Sequence, residues 1–462
     1  MAVRTEIRQR AAPCEPTCDA NGNVPFCKSA NNITSLSTTT NSHQTNGYAN
    51  GTELYSDGSL NGIQHMNQAT SEGFAHAANG KVPIRVEVVE EIRWPDLAIG
   101  VKLLVTGAAG IVFGFVMEKG RVFEPHIIRG QMLFQNFVML KMFLSGIVAS
   151  LVCFSLLSLL PFASTNFKSA RSNAGCRTNR KGVKAAAIGG AMLGSGMAMS
   201  GACPGATLIE VGAGVQNAGM TFAGCLLGAL LYGLTEERVN KLLKPKNEIT
   251  FTKLDERLSL PYHKLALPLA LVIGIVLAVI EYLAPWRSEL TSPNAEHMPE
   301  GAASLFAIRS WPPILAGSIV GSLQLPIVLA VDEPIGGSRG YCTMVSRILP
   351  SSFLQGTSPY LRASRTGLRN WWQVVYISSA IAGAAASALS SGTWASTYGV
   401  APLHALLGGT VMVYGSRLAG GCTSGHGLSG IGMLSLLSFV AIPSMFLGGI
   451  TTAVAMTTTG VY

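Results

Sequence analysis

The chain has 462 residues, of which 48% are apolar and only 12% are Asp, Glu, Lys or Arg. A water-facing surface usually needs about 25% charged residues, so this composition excludes an ordinary soluble domain. The net charge of +9 does not point to nucleic acid, because the basic residues sit in loops between apolar spans and report topology.

Residues 1–80 are rich in Asn, Ser, Thr and Gly and show no apolar periodicity. They read as a disordered cytosolic tail with no signal-peptide core. Two glycosylation sequons, Asn32-Ile33-Thr34 and Asn50-Gly51-Thr52, fall within it. Residues 81–96 form a juxtamembrane segment, and 97–460 a transmembrane transport domain. Nine apolar stretches then follow, near 97–117, 132–160, 184–201, 217–234, 264–284, 311–331, 371–391, 401–419 and 435–457. Each is long enough, or nearly so, to cross a hydrocarbon core of ~30 Å. The third, fourth, eighth and ninth are short and interrupted by glycine. The fold class expected is therefore an all-α membrane protein of about nine helices.

Lys and Arg number 21 in the pre-membrane segment and the loops 161–184, 235–264 and 332–370, against 5 in the alternate loops. That bias places the N-terminus in the cytosol and the C-terminus outside, with the plasma membrane favoured over an organelle. The nine cysteines have neither disulphide-framework nor zinc spacing, so neither a metal nor a cofactor is expected.

A repeat organises the span region. Gly189, Gly190, Gly196, Gly201 and Cys203 recur as Gly408, Gly409, Gly415, Gly420 and Cys422, each pair 219 residues apart. Five spans separate the starts of the two copies, so the copies face opposite ways. The halves run over roughly 97–234 and 311–457, with span 264–284 as linker. Inverted repeats with broken, re-entrant helices are how many transporters build a site at the midplane.

Two breaker-rich motifs follow the Gly-rich spans: Ser200-Gly201-Ala202-Cys203-Pro204-Gly205-Ala206 and Gly420-Gly421-Cys422-Thr423-Ser424-Gly425-His426-Gly427. Backbone that leaves a helix inside a bilayer must be buried in protein or line a wet path. Each motif offers N–H groups, a hydroxyl and a soft thiol, a set suited to an anion containing sulphur. The candidate path residues are Cys203, Gly201 and Gly205 in the first motif and Cys422, Gly421, Thr423, Ser424, Gly425 and His426 in the second. A third motif, Pro334-Ile335-Gly336-Gly337-Ser338-Arg339-Gly340-Tyr341-Cys342, adds Arg339 and Cys342 at the cytosolic mouth; it also reads as a plain connecting turn. Lys141 inside the second span is a further candidate for attracting the anion. Arg417 beside Cys422 is either a charge for the path or a side chain that snorkels. Cys153 and Cys225 read as small core hydrophobes, Glu210 as polar packing, and Gly224-x-x-x-Gly228 as a helix contact.

At these motifs the sequence resembles the YeeE/YedE-type sulphur transport proteins, which include bacterial thiosulphate permeases. The resemblance spans roughly 95–460 and also takes in the segment Phe113–Arg121. It implies an hourglass-like bundle in which two Cys loops meet near the centre. Thiosulphate would pass along Cys203 and Cys422 by transient hydrogen bonding, with Cys342 peripheral. Members of the family tend to carry a third cysteine in the first-half loop; Phe123 stands in that region here. The expected partners are a small inorganic sulphur anion and the lipid bilayer, without nucleic acid; no oligomeric state is read from the sequence. The reading is a permease and not an enzyme, and the alternative is a membrane thiol enzyme or persulphide carrier.

Overall fold

Apolar runs broken by Gly and Pro set the order of helices along the chain. The computed structural model describes residues 97–179, 181–243, 253–290, 306, 308–350 and 358–460, the side chains of 176–179 and 368–369 excepted. The expected tail (1–80), the juxtamembrane segment (81–96) and both sequons lie outside these residues.

The first stretch gives α1 (Ile99–Lys119), α2 (Pro125–Met132), α3 (Val138–Leu159), α4 (Pro161–Asn179), α5 (Gly182–Ser200), α6 (Ala206–Ala213) and α7 (Ala218–Leu243). Next come α8 (Leu254–Leu258), α9 (Tyr262–Leu283) and α10 (Trp286–Glu289). The last stretch gives α11 (Pro313–Ser322), α12 (Gln324–Val331), α13 (Ser338–Ile348), α14 (Pro359–Ser364), α15 (Leu368–Ser390) and α16 (Pro402–Ala419), then a π-helix over Gly425–Ile431 and α17 (Ser438–Thr458). No strand occurs among the described residues; a lone bridge joins Lys253 to Ser435. The 161–184 segment, expected as a loop, is largely the polar helix α4, opened by Pro161 where the ring's fixed φ suits a first helical turn.

Among the described residues, seven helices are long and apolar enough to cross a membrane: α1, α3, α7, α9, α11 with α12, α15 and α17. The other two expected spans, 184–201 and 401–419, form the Gly-rich helices α5 and α16. Outer faces carry Leu104, Val272, Ile275 and Leu447, all well exposed. Apolar surface on that scale suits lipid and not water. This is an integral, all-α membrane protein.

Helix α5 packs against α16 and α17, α7 against α16, α1 against α15, and α3 against α11 and α9. Glycine makes the α5–α16 crossing possible. A Cβ at Gly189 would stand 2.7 Å from the Gly415 carbonyl oxygen, and one at Gly415 2.7 Å from that of Gly189. Farther along the crossing, a Cβ at Gly196 would stand 2.6 Å from the Gly408 carbonyl oxygen, and one at Gly408 3.0 Å from that of Gly196. Backbone contact this close is how helices gain dispersion energy where lipid removes the hydrophobic drive. Gly224 and Gly228 of α7 meet α16 at Leu406 and Thr410 in the same manner, as expected of a helix contact.

Two clusters of buried charge tie helix ends together. Glu118 accepts from Arg121 Nη1 at 3.1 Å, from Ser387 at 2.6 Å and from Thr393 at 3.1 Å, and it pairs with Lys119 at 3.8 Å. This cluster ties the end of α1 to that of α15. The second cluster belongs to Lys141, whose ammonium lies 3.0 Å from Glu281 and 2.5 Å from Glu289 and donates to the Ala284 carbonyl. Glu289 also accepts from the Phe137 amide at 2.6 Å, at the start of α3. Lys141 thus pins α9 and α10 to α3.

Three substitutions test this packing. Gly196→Leu forces backbone apart at the crossing and should cost about 1–3 kcal/mol by overpacking, read as a lower melting temperature in detergent. Gly274→Ala, where nothing lies within 4 Å of the new methyl, should leave the melt unchanged or raise it slightly. Lys141→Met strands two carboxylates and should cost about 3 kcal/mol or more by the same measurement.

Candidate functional site

Each thiol motif begins where a Gly-rich helix stops. Gly201 caps α5 with φ +65° and Gly420 caps α16 with φ +91°, a left-handed turn that glycine adopts without steric cost. Both chains then turn back into a helical segment in the same way. The Thr207 amide donates to the Cys203 carbonyl at 2.9 Å, and the His426 amide donates to the Cys422 carbonyl at 2.8 Å. In both loops the sulphur lies at the start of that segment. Cys203 Sγ accepts from the Ala206 amide at 3.2 Å. Cys422 Sγ lies 3.3 Å from Ser424 Oγ and 3.7 Å from the place a Gly425 Cβ would take. The segments differ beyond this turn: α6 is an ordinary α-helix, whereas Gly425–Ile431 is wound as a wider π-helix.

A cavity of about 760 Å³ reaches Cys422. From the second motif its wall includes Gly420, Gly421, Cys422, Gly425 and His426. Arg171, Lys181, Lys253, Arg339 and Arg417 also line it, against the acidic Glu236 and Glu237, so it favours anions. Burial, together with the neighbouring Arg171, holds the Lys253 ammonium below its ordinary pKa, against the pull of Glu256.

The structure brings Cys422, Gly421, Gly425, His426 and Arg339 together on that wall. His426 turns Nδ1 to the Ser438 hydroxyl at 3.0 Å and covers Gly421 with its ring. Arg339 donates to Asn370 at 2.9 Å and stands 3.5 Å from Glu333. Thr423 is turned the other way, its hydroxyl on the sulphurs of Met197 at 3.5 Å and Met445 at 3.6 Å. Ser424 stays with the Cys422 sulphur, off the wall. Cys203 is not on the wall, nor are Gly205, where a Cβ would stand 3.5 Å from Phe113, and Gly201, which packs against Pro125. Lys141, in its own ion-pair cluster, is not on the wall either.

Cys342 is buried, 3.8 Å from the Tyr360 hydroxyl. Its helix α13 touches both thiol loops. Tyr341 Oη donates to the Pro204 carbonyl at 2.7 Å in the first loop, and Ser338 Oγ accepts from Arg417 at 3.1 Å beside the second. The turn ahead of α13 is fixed as well: the Ile335 amide donates to Gln324 at 3.0 Å, and Ser429 of the π-helix donates to the Ile335 carbonyl at 2.6 Å. Sequence reasoning named the Cys and Arg of this motif and missed Ser338 and Tyr341. A Tyr and a Ser in a Gly-rich turn carry no signal of their own; only the 137-residue separation between Tyr341 and Pro204 closing in space reveals them.

A 355-residue stretch is 23% identical to the "Thiosulfate transporter TsuA" of Spirochaeta thermophila, covering 74% of this chain and 96% of that relative. A shorter stretch of 152 residues is 29% identical to a "Probable transporter" of Xylella fastidiosa, covering 33% of this chain and 96% of the relative. The profile of the family described as Sulphur transport matches residues 119–451, which hold both thiol motifs and the α13 motif. The chain belongs to the sulphur transport family.

Proposed function

We propose that this protein is a permease for thiosulphate or a closely related sulphur-containing anion, passed between the thiol loops of Cys203 and Cys422. One observation carries the reading: two loops 219 residues apart in sequence have the same cap, the same turn and a sulphur at the same point, and one of them floors a basic cavity. A helix start presents unpaired N–H groups to an anion, and a thiol adds a weak donor with a polarisable surface. The likeness to a protein named as a thiosulphate transporter supports the same substrate class.

The packing supports an inverted repeat. Exchanging α5 with α16 and α7 with α17 turns the α5–α17 contact into the α16–α7 contact, and both are present. The same exchange turns Gly189 against Gly415 into Gly408 against Gly196. Span α9 then links the halves. The cavity wall draws Arg171 and Lys181, Glu236 and Lys253, and Arg339 and Tyr360 from the three loops richest in Lys and Arg. With those loops in the cytosol, the cavity is the cytosolic mouth, Cys422 is its floor, and Cys203 serves the outer side.

A thiol enzyme would instead set a base against a sulphur. The hydroxyl of Ser424 lies 3.3 Å from Cys422 Sγ, while His426 spends Nδ1 on Ser438. That geometry favours transient hydrogen bonding over covalent chemistry.

Uptake of radiolabelled thiosulphate into proteoliposomes tests the reading. Wild-type protein should accumulate label, and Cys203→Ala and Cys422→Ala should each abolish it, whereas Cys153→Ala, outside both loops, should transport normally. Absence of uptake by folded wild type would overturn the assignment.

A further inference from the structure

Several buried and half-buried cations among the described residues are paired with carboxylates. Lys119 and Arg121 have Glu118, Lys141 has Glu281 and Glu289, and Arg171 has Asp255 at 2.6 Å. On the cavity wall Lys253 has Glu256 at 2.6 Å and Arg339 has Glu333 at 3.5 Å. Arg417 breaks the pattern. It sits in the last turn of α16, 8% exposed, and no carboxylate pairs with it among the described residues. Its guanidinium donates to two neutral oxygens, Tyr360 Oη at 3.0 Å from Nε and Ser338 Oγ at 3.1 Å from Nη1. Nη2 has no described partner, and the side chain lines the cavity three residues ahead of the Gly420 that opens the Cys422 loop.

A guanidinium held out of water without a counter-charge is costly, and such a charge in a membrane protein marks a ligand or a path. Its two hydrogen bonds fix the plane of the fork and leave the Nη2 edge for an oxyanion. Tyr360 also touches Cys342, so a soft sulphur and a hard cation share one neighbour. We propose that Arg417 is the missing half of an ion pair whose other half is the transported species: a divalent sulphur oxyanion lies on the cavity floor with its oxygens on Arg417 and Ser338 and its terminal sulphur toward Cys422. The proposal rests on the permease reading and deepens it by separating two tasks. Arg417 supplies charge recognition for any such dianion, and Cys422 supplies the preference for exposed sulphur.

The test is a thermal-shift titration of detergent-purified wild type, Arg417→Gln, Arg417→Lys and Cys422→Ala with thiosulphate, sulphite and sulphate, run beside thiosulphate uptake. Wild type should be stabilised in a saturable way. Arg417→Gln should weaken every dianion by about tenfold or more, the loss expected for a charge-assisted bond. Arg417→Lys, which keeps the charge without the fork, should weaken them several-fold and carries the test if the Gln variant does not fold. Cys422→Ala should weaken thiosulphate while leaving sulphate unchanged. Unaltered affinity in a folded Arg417 variant, or a wild type that no dianion stabilises, overturns the proposal. If wild type takes up thiosulphate and Arg417→Gln matches it, the Arg417 site falls and the permease stands. If wild type takes up none but its stabilisation by sulphate or sulphite depends on Arg417, the permease falls and the anion site stands.

Discussion

The arrangement depends on how closely α5 and α16 approach. Four glycines, two on each helix, let backbone meet backbone at Gly189 with Gly415 and at Gly196 with Gly408. Any side chain at these places would separate the helices, and with them the two C-terminal ends that carry the thiol loops. Lipid tails are as apolar as a leucine side chain, so association in the bilayer cannot draw on the hydrophobic effect and relies on close packing instead. The glycines that hold the bundle together are therefore the same ones that fix where Cys203 and Cys422 stand.

From that crossing the site follows in short steps. Each helix ends on a left-handed glycine, the chain reverses, and a sulphur comes to rest at the start of a new helical segment. Helix α13 then bridges the two loops, with Tyr341 on one and Ser338 beside the other. A reversed chain inside a bilayer leaves backbone groups that lipid cannot satisfy. Here Tyr341 supplies a partner for the first loop at Pro204, Gln324 and Ser429 do the same for Ile335 in the turn ahead of α13, and the cavity wall takes part of the rest.

Much of this was legible in the sequence because it is local or periodic. The apolar spans and the breaker-rich motifs are patterns within short windows, and the glycines and thiols repeat at a constant 219-residue offset. What was not legible depends on residues far apart in the chain. Lys141 looks like a charge awaiting an anion until α9 and α10 bring Glu281 and Glu289 against it from about 140 residues away. Thr423 looks like part of the path until its hydroxyl is seen on two methionine sulphurs. Segment 161–184 looks like a loop because it is polar, yet polarity does not oppose a helix that lies outside the hydrocarbon.

The two thiol motifs agree in their glycines and cysteines and differ in the polar and charged residues around them. Glycines and cysteines match at the 219-residue offset, as do the first hydrogen bonds of the re-entrant segments. At the same offset Arg417 faces Ala198, His426 faces Thr207 and Ser429 faces Glu210. A passage with equal ends would bind an anion equally at both. This one concentrates its cations around Cys422 and keeps a buried carboxyl on the Cys203 side, where Glu210 Oε2 has no hydrogen-bond partner. On the permease reading the matched motifs give two thiols a common frame, and the differences between them give that frame a direction, with the stronger hold on an anion proposed at the Cys422 mouth.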